Sequence, residues 1–303
     1  MAGNYKINIT PRGGLIAPPG YSIAAVDWSG QEAMIGAYYS GDKHMLDIFR
    51  QPTHLESGEK NPQADIHCIN AMNCTHPHLF KGVPPEKQVK VAKDPTLIRE
   101  KGCARDWAKP LQYGIQYLES AQSMSERYHI PKTRAEEWIG NHSKLFPKYH
   151  DWVGRQQKLA EERGWARTPD GFMRLVKEDN AKQAGSSPGR SGVNMLIQAA
   201  GSSMAKRALS RIFRELNIEV IQLINAVHDE IVILVPGETT IDLENSKYSD
   251  DGKTILDPTF CPAEEAITLA NQVADVMKRV EEEWFEGLME GRVEIDLAPY
   301  WAH

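Results

Sequence analysis

A histidine and two adjacent acids interrupt a strongly apolar stretch in the last third of the chain. Asn225–Leu234 has the sequence NAVHDEIVIL, with His228, Asp229 and Glu230 at its centre. This pattern predicts two strands joined by a tight hairpin with the charged residues at its tip. Burying an uncompensated carboxylate costs several kcal/mol, so the tip must meet solvent, an opposite charge or a metal ion. Solvated turns more often carry Gly, Asn or Pro, and the composition therefore favours a functional tip.

Another acid follows an earlier apolar segment. Tyr21–Val26 is predicted as a short strand, and Asp27 comes directly after it. A helical pattern then opens with Gln31 and Glu32. A carboxylate at the end of a strand lies at the edge of a sheet, beside a cleft. The alternative for this segment alone is an aspartate that only caps the following helix.

Cations and aromatic rings recur at four-residue steps in a helix predicted from Arg99 onward. The four residues are Arg105, Lys109, Tyr113 and Tyr117. Four-residue steps keep side chains on one slowly drifting face of a helix. Two cations followed by two aromatic rings suit a polyphosphate with an attached base. The alternative is a solvated face with snorkelling cations and half-buried tyrosines.

A second predicted helix, from Arg190 to about Leu216, opens with a row of polar side chains at the same step. Arg190, Asn194 and Gln198 share one of its faces. Such a row suits a nucleic-acid backbone or a minor groove.

The bulk composition is that of a globular chain. The chain has 303 residues and a formal net charge of −6, with 25% charged and 41% hydrophobic residues. Lys and Arg are concentrated in 81–214 and acids in 238–290, and this local distribution matters more for phosphate contacts than the total charge does. No signal peptide or run of 18 apolar residues is present, so the sequence predicts no membrane partner.

The four cysteines show no disulfide framework, which favours a reducing, cytoplasmic compartment. Cys68 and Cys74 lie near His76 and His78 in the sequence. Their spacing matches neither a CxxC pair nor an HxxxH pair, so a zinc site is a weak hypothesis.

The remaining pattern alternates loops, helices and strands. Loops or connections are predicted for 51–63, 81–98, 177–189 and the acidic segment 237–262, with helices over 119–163 and 263–289, a hairpin over Trp165–Val176 and a last strand over Val293–Leu297.

Five segments, taken in order, resemble signature regions of family A DNA polymerases, the bacterial polymerase I and related phage type. AAVDWSGQEAMIGAYYSGDKHMLDIFR is similar to the first motif, RDWAKPLQYGIQY to the fingers helix, and AVHDEIVILV to the His-Asp-Glu hairpin. Asp65-Ile66-His67 and RSGVNMLIQAAGSSMAK at 190–206 also fall in the family's order. The resemblance runs from about Arg12 to the last residue.

This resemblance implies a two-metal nucleotidyl transfer. Asp27 and Asp229 would hold two Mg²⁺ ions, whose usual separation is ~3.5–4 Å. One ion would lower the pKa of the primer 3′-hydroxyl, and the other would stabilise the triphosphate and the leaving pyrophosphate. Lys109 would donate a proton to pyrophosphate, and Glu230 would support the metal site.

It also implies primer–template DNA and dNTPs as partners. The residues matching the family's nucleotide site are Arg105, Lys109, His67, Tyr113, Tyr117, Gln31 and Glu32. Glu32 would exclude a 2′-hydroxyl, and Tyr113, where some members have phenylalanine, would allow dideoxynucleotides to be incorporated. The residues matching its primer–template contacts are Arg12, Arg190, Asn194, Gln198 and His228.

The implied fold class is α+β, an antiparallel-sheet palm with a mostly helical fingers subdomain. Residues 1–80 and 177–303 would form the palm, and 81–176 the fingers. The chain has no segment matching the family's thumb or 3′–5′ exonuclease. We therefore expect the palm-and-fingers part of a split or minimal polymerase, with a separate chain carrying the thumb and exonuclease. A phage origin, with the host cytoplasm as location, fits this arrangement.

Three positions depart from the family pattern, and one alternative function stays open. Gly30 is one of them, because polymerase I has a glutamine there. Pro110 follows Lys109, and a mid-helix proline costs about 3 kcal/mol, so we expect the fingers helix to start late or to be kinked. Leu118 replaces a glycine that the family often has after Tyr117. The alternative is a non-catalytic nucleic-acid-binding subunit with the same fold, which the presence of both metal carboxylates disfavours.

Overall fold

The computed structural model describes residues 6–7, 11–98, 102–176 and 187–302. The chain divides into two compact units, one of 1–31 with 201–303 and one of 32–200. We call the first the sheet unit and the second the helical unit. Residues 32–80, which the sequence analysis placed in the palm, belong to the helical unit. The assignment of segments to palm and fingers remains a prediction.

The helical unit consists of short and medium helices with one small hairpin. Its elements are α1 (Gln31–Ser40), α2 (Lys43–Arg50), α3 (Ile66–Asn70), α4 (Pro85–Lys93), α5 (Ala104–Gln116), α6 (Ala121–Tyr128), α7 (Lys132–Leu145), α8 (Pro147–Arg163), β3 (Trp165–Arg167), β4 (Met173–Leu175) and the first part of α9 (Pro188–Glu215). A π-helical turn, Ala71–Thr75, follows α3 directly. The three predicted helices of 119–163 and the hairpin after them are confirmed.

One prediction for this unit is wrong, and another is wrong in one of its two alternatives. The segment 81–98 is not only a connection, because α4 forms inside it, with Pro85 at the first turn where a missing N–H is tolerated. The helix α5 begins at Ala104 and continues through Pro110, so it does not start late relative to that proline. The alternative of a kink at Pro110 stays a prediction. Apolar burial of Ala108 and Leu111 on either side of Pro110 offsets the lost hydrogen bond. Residues 99–101, where the helix was predicted to begin, lie outside the described residues.

The sheet unit is organised around a four-stranded antiparallel sheet in the order β5-β6-β2-β9. The strands are β2 (Tyr21–Trp28), β5 (Gln222–Val227), β6 (Glu230–Pro236) and β9 (Val293–Ala298). β2 is a central strand, in which Ala24 pairs with Ile233 on one side and with Leu297 on the other. Its continuous apolar run fits this position, because residues on both of its faces are buried.

Each face of this sheet has its own packing layer. The helix α10 (Glu264–Trp284) packs on one face of the sheet. Its buried residues recur at helical spacing and include Ala266, Ala270, Val273 and Met277. On this face the Trp28 indole donates a hydrogen bond to the Met277 carbonyl at 3.2 Å. Side chains alternate along a strand, so Ile23 and Ala25 point to the opposite face. There they cluster with Val232 and Trp301. The predicted helix after 263 is therefore confirmed, with an end at Trp284.

A second, smaller sheet corrects the prediction of a loop over 237–262. This segment forms a hairpin of β7 (Thr239–Tyr248) and β8 (Thr254–Pro262), and the short β1 (Lys6–Ile7) pairs in parallel with β8. Its acids lie at exposed positions except the half-buried Asp242, while Thr239 and Ile255 are buried. The acidic composition therefore reflects solvated faces and did not exclude strands.

No helix in the described ranges is both long enough and apolar enough to cross a membrane.

The contact between α8 and α9 generates a stability prediction. A β-carbon built on Gly192 of α9 would overlap the β-carbon of Ala160 on α8, whereas one built on Gly154 of α8 would meet no heavy atom within 4 Å. We expect Gly192→Ala to destabilise the protein by about 1–3 kcal/mol through overpacking. Gly154→Ala, the matched control, should stabilise it by roughly 0.5–1 kcal/mol through helix propensity. Denaturant unfolding of both variants tests this, and equal shifts of the same sign would contradict it.

A buried acid in the sheet unit generates a pH prediction. The carboxylate of Glu281 in α10 accepts a hydrogen bond from the backbone N–H of Arg292 at 2.7 Å. Burial raises its pKa to about 8, and the nearby Arg292 only partly opposes this. Because the folded pKa lies above the unfolded value, the stability contributed by protonated Glu281 is complete below about pH 4.5 and is lost as the pH rises towards 8.

We therefore expect Glu281→Gln to flatten the decline of stability between pH 5 and 8. At pH 8 this variant should be more stable than wild type by on the order of 2 kcal/mol, since glutamine cannot ionise. Denaturant unfolding at several pH values measures the slope. Glu265→Gln, at an exposed position of the same helix, is the control. An unchanged slope in Glu281→Gln would show that Glu281 ionises alike in both states.

Candidate functional site

Two acids of the sheet unit are brought together where β2 ends. β2 extends two residues beyond the predicted Val26, so Asp27 lies inside the strand and pairs with Glu230 of β6. The predicted hairpin between β5 and β6 is present, and its loop consists of His228 and Asp229. Glu230, which was predicted at the tip with them, is instead the first residue of β6. The backbone N–H of Trp28 donates a hydrogen bond to the carbonyl of Asp229 at 3.2 Å. Asp229 accepts this hydrogen bond, and Asp27 directly precedes the residue that donates it. The two aspartates therefore lie on adjacent backbone.

The tip of this hairpin has an uncommon backbone conformation. His228 has φ of 54°, a value that residues with a β-carbon rarely adopt. It is exposed, whereas Asp229 is half-buried. Strained non-glycine residues of this kind concentrate at functional sites.

Glu230 is buried, and its carboxylate contacts both Trp301 and Arg12. The Trp301 indole N–H donates a hydrogen bond to Oε1 at 2.6 Å, and Nη1 of Arg12 lies 3.8 Å from Oε2. The Arg12 guanidinium also lies over the Trp301 ring, 4.9 Å from its centroid. Sequence reasoning assigned Arg12 to primer contacts and missed Trp301. No spacing signal links Trp301 to Glu230, because 71 positions separate them.

Another acid was also missed. Glu294 of β9 pairs with Asp27 on the side opposite Glu230. Directly paired residues of antiparallel strands share a face, so Glu230, Asp27 and Glu294 form a row of acids across three strands. The alternation of β9, VEIDLA, was the available signal.

Asp27 and Asp229 suit a hard cation that keeps part of its hydration shell. Within the described ranges, no three His, Cys, Asp or Glu side chains form a group that could hold a metal ion by themselves. Mg²⁺ is commonly held by one or two carboxylates, with waters and substrate phosphates completing its shell. Asp27 and Asp229 fit that requirement, being oxygen donors on adjacent backbone.

In the helical unit, one aspartate organises the cationic face. Asp65 caps α3, its Oδ1 accepting hydrogen bonds from the N–H groups of His67 and Cys68 at 2.8 and 3.2 Å. Its Oδ2 accepts a hydrogen bond from Nε of Arg105 at 2.8 Å. Burial would raise the pKa of Asp65, but the charge and hydrogen bond of Arg105 outweigh it, and the pKa lies below its usual value. Asp65 therefore stays ionised and fixes the Arg105 side chain to the start of α3.

His67 is held neutral beside these charges. Burial lowers its pKa to about 4; Asp65 opposes this, while Arg105 and Lys109 add to it. Its ring centroid lies 5.9 Å from that of Tyr113, and its buried Nδ1 has no hydrogen-bond partner. A neutral imidazole can donate to a phosphate oxygen without a change of charge.

The α5 face continues with side chains open to a ligand. Lys109 is half-buried, and 48% of Tyr113 is exposed. The last ring of the row, Tyr117, donates hydrogen bonds to both carboxylate oxygens of Glu32 at 3.1 and 3.3 Å, and Gln198 donates to the Tyr117 hydroxyl at 3.4 Å. Burial, with the nearby carboxylate, raises the pKa of Tyr117, so the phenol remains a donor.

A small pocket surrounds these hydrogen bonds. Its lining comprises Glu32, Gln116, Tyr117, Asn194, Ile197 and Gln198. The buried Oδ1 of Asn194 and Oε1 of Gln116 have no hydrogen-bond partner, nor has Nε2 of the buried Gln31 at the start of α1.

Arg190, the first residue of the polar row on α9, contacts the backbone of a neighbouring segment. The Arg190 guanidinium donates a hydrogen bond to the carbonyl of Leu118. Leu118 itself has φ of 56°, a left-handed conformation that glycine adopts more easily. Arg190 thus stabilises the end of the segment that carries Tyr117.

A comparison with family models decides the affiliation. The model described as DNA polymerase family A matches residues 3–247. The chain belongs to DNA polymerase family A.

Individual family A relatives are distant and much longer. The thermostable DNA polymerase I of Thermus thermophilus is 28% identical over 227 residues, covering 74% of this chain and 24% of the relative. DNA polymerase I of Chloroflexus aurantiacus is 25% identical over 230 residues, covering 75% and 21%. The chain thus spans about a quarter of the length of the curated family A relatives it matches.

A solved structure shares the fold. The POL domain of Pol1 from M. smegmatis, in complex with DNA primer-template and dNTP, superposes with a TM-score of 0.65 at 18% identity, covering 96% of this chain and 42% of that one. The α+β fold class predicted from the sequence, and the resemblance to family A, are confirmed. The roles of individual residues remain predictions.

Proposed function

We propose that this chain catalyses template-directed addition of deoxynucleotides to a primer 3′-end. The observation that carries the proposal is the hydrogen bond from Trp28 to Asp229, which brings the carboxylate-bearing residues Asp27 and Asp229 together in a member of family A. The family's other motifs supply the nucleotide and DNA contacts.

In the sheet unit, Asp27 and Asp229 would hold Mg²⁺. When bound, two such ions lower the pKa of the primer 3′-hydroxyl and neutralise charge on the triphosphate. Glu230 would keep the hairpin tip in place and would not itself ligate, since its oxygens already face Trp301 and Arg12. His228, exposed at the tip, would contact the primer–template.

In the helical unit, Arg105 and Lys109 would bind the incoming triphosphate. Asp65 presents the Arg105 guanidinium in a fixed orientation, which lowers the entropy lost when a phosphate binds. The 3′-hydroxyl loses a proton as its oxygen bonds to the α-phosphorus, and the leaving pyrophosphate gains one from Lys109. His67, neutral at pH 7, would donate a hydrogen bond to a phosphate oxygen.

The base and sugar would be recognised by the rest of the α5 face. Tyr113 would stack on the nucleotide, and Tyr117 would lie near the templating base. Glu32, held by Tyr117 at 3.1 Å, would exclude a 2′-hydroxyl, with Gln31 beside it in sequence.

The primer–template would contact a second set of side chains. These are Arg12, Arg190, Asn194, Gln198 and His228. Arg12 is 47% exposed although it lies beside Glu230, so it can also reach a phosphate. A separate chain carrying a thumb and an exonuclease remains part of the proposal, and processivity tests it, since a thumb normally grips the duplex.

Primer extension with Mg²⁺ and dNTPs on a primed DNA template tests the function. We expect wild type to extend the primer and Asp229→Asn to lose roughly 10²- to 10⁴-fold of the rate, equivalent to several kcal/mol of transition-state stabilisation. Asp296→Asn, at an exposed position of β9, is the matched control and should keep the rate.

The other outcomes discriminate between hypotheses. Binding of primer–template without any extension would favour the non-catalytic nucleic-acid-binding subunit. Extension by Asp229→Asn at the wild-type rate would contradict the proposed metal site. Long products from the chain alone would argue against a missing thumb partner, whereas short products would support it.

The hydroxyl of Tyr113 generates a second prediction. We expect the enzyme to incorporate dideoxynucleotides readily, because the phenol can supply the polar contact that a missing 3′-hydroxyl leaves empty. Tyr113→Phe should discriminate against ddNTPs by about tenfold or more, the value of one hydrogen bond. Competition between ddNTP and dNTP measures the ratio, with Tyr128→Phe in α6 as control. Equal ratios for wild type and Tyr113→Phe would exclude a role of the hydroxyl.

A further inference from the structure

A tryptophan far from the family's motifs makes a short contact with the acidic hairpin. The Trp301 indole N–H lies 2.6 Å from Oε1 of Glu230, and both residues are buried. Glu230 follows Asp229 directly and pairs with Asp27 across the sheet. A hydrogen bond to a buried carboxylate is worth more than a neutral one, and leaving that carboxylate unpaired is costly.

Trp301 is itself fixed by backbone and by packing. The backbone N–H of Trp301 donates a hydrogen bond to the Leu15 carbonyl at 2.9 Å. The neighbouring residues Ile16 and Tyr300 form an antiparallel bridge. Its ring packs in the cluster of Ile23, Ala25 and Val232 on the sheet face that also carries Asp27 and Glu230.

Arg12 completes the arrangement from the same segment. The turn Pro11–Gly14 precedes Leu15, and the Leu15 N–H donates to the Arg12 carbonyl at 3.0 Å. Its guanidinium covers the Trp301 ring and lies beside the second oxygen of Glu230. The buried charge of Glu230 is thus satisfied by a neutral donor on one oxygen and a cation on the other.

We infer that Trp301 is a positioning residue, which acts through Glu230 to hold Asp229 and Asp27 in the geometry that binds a divalent cation. The inference rests on the proposed function for its catalytic consequence, but not for its effect on cation binding. Groups that hydrogen-bond to or orient metal ligands typically change affinity or activity by 10–100-fold when removed. The Trp301 indole contacts Glu230, the neighbour of the ligand Asp229, and not the ligand itself. We therefore expect an effect on affinity at the low end of that range.

The test measures binding of Mn²⁺ alone, by electron paramagnetic resonance of the free ion, to the full chain. Asp229→Asn identifies the relevant site by removing it. Trp301→Phe keeps an aromatic ring and deletes only the donor, and we expect the Kd for Mn²⁺ to rise roughly tenfold. Trp301→His, which retains a ring N–H, should fall between Trp301→Phe and wild type.

The matched control is Trp284→Phe. Trp284 is a buried tryptophan of the same unit with the Arg207 guanidinium 4.7 Å above its ring. It should leave the Mn²⁺ affinity unchanged, even if both variants lose similar thermal stability. Should Trp301→Phe fail to fold, Trp301→His against wild type carries the comparison.

Primer extension separates this inference from the proposed function. We expect Trp301→Phe to lower kcat about tenfold with little change in the KM for dNTP. Weaker Mn²⁺ binding in a chain whose wild type adds no nucleotide would support the positioning role and contradict the polymerase function. Wild-type Mn²⁺ affinity in both Trp301 variants would overturn the positioning role, whatever the activity.

Discussion

The pairing register of β2 determines where the acids of the candidate site lie relative to one another. Because side chains alternate along a strand, a slip of one residue would move Asp27 to the face covered by α10, away from Glu230 and Glu294. The Trp28 N–H, bonded to the Asp229 carbonyl, fixes this register at the end where the hairpin turns. The Trp28 indole, bonded to Met277, fixes the opposite face. The candidate cation site is therefore a consequence of backbone pairing between segments about 200 positions apart.

In both units, a charged side chain that is wholly or partly buried lies beside a partner that compensates its charge. Glu230 is a buried carboxylate next to the tip, and Trp301 and Arg12 satisfy it without neutralising Asp229. In the helical unit Asp65 compensates Arg105, which stays charged for a ligand. A buried ion left unpaired would cost several kcal/mol, so these partners are conditions for placing charge at a site at all. Supporting contacts of this kind hold functional side chains in defined orientations.

The sequence predicted the elements whose patterns are local. The apolar run around His228 and Asp229 predicted the hairpin, and four-residue steps predicted the face of α5, because both signals lie within one element. Three features had no such signal. The acids of 237–262 concealed a hairpin whose strands are stabilised by pairing with each other, and Pro110 did not stop α5, because tertiary burial outweighs a local cost. The contact of Trp301 with Glu230 depends on the fold alone, since nothing in the spacing of the two residues predicts it.

Metal-directed cleavage of the backbone tests most directly whether Asp27 and Asp229 belong to one cation site. Fe²⁺ replacing Mg²⁺ produces, with ascorbate and peroxide, hydroxyl radicals that cut the chain beside the bound ion. We predict two cuts, one near Asp27 and one near Asp229, both suppressed by excess Mg²⁺ and both lost in Asp27→Asn. Cuts at other segments, or an Asp27→Asn variant still cut near Asp229, would show that the two carboxylates do not share a site.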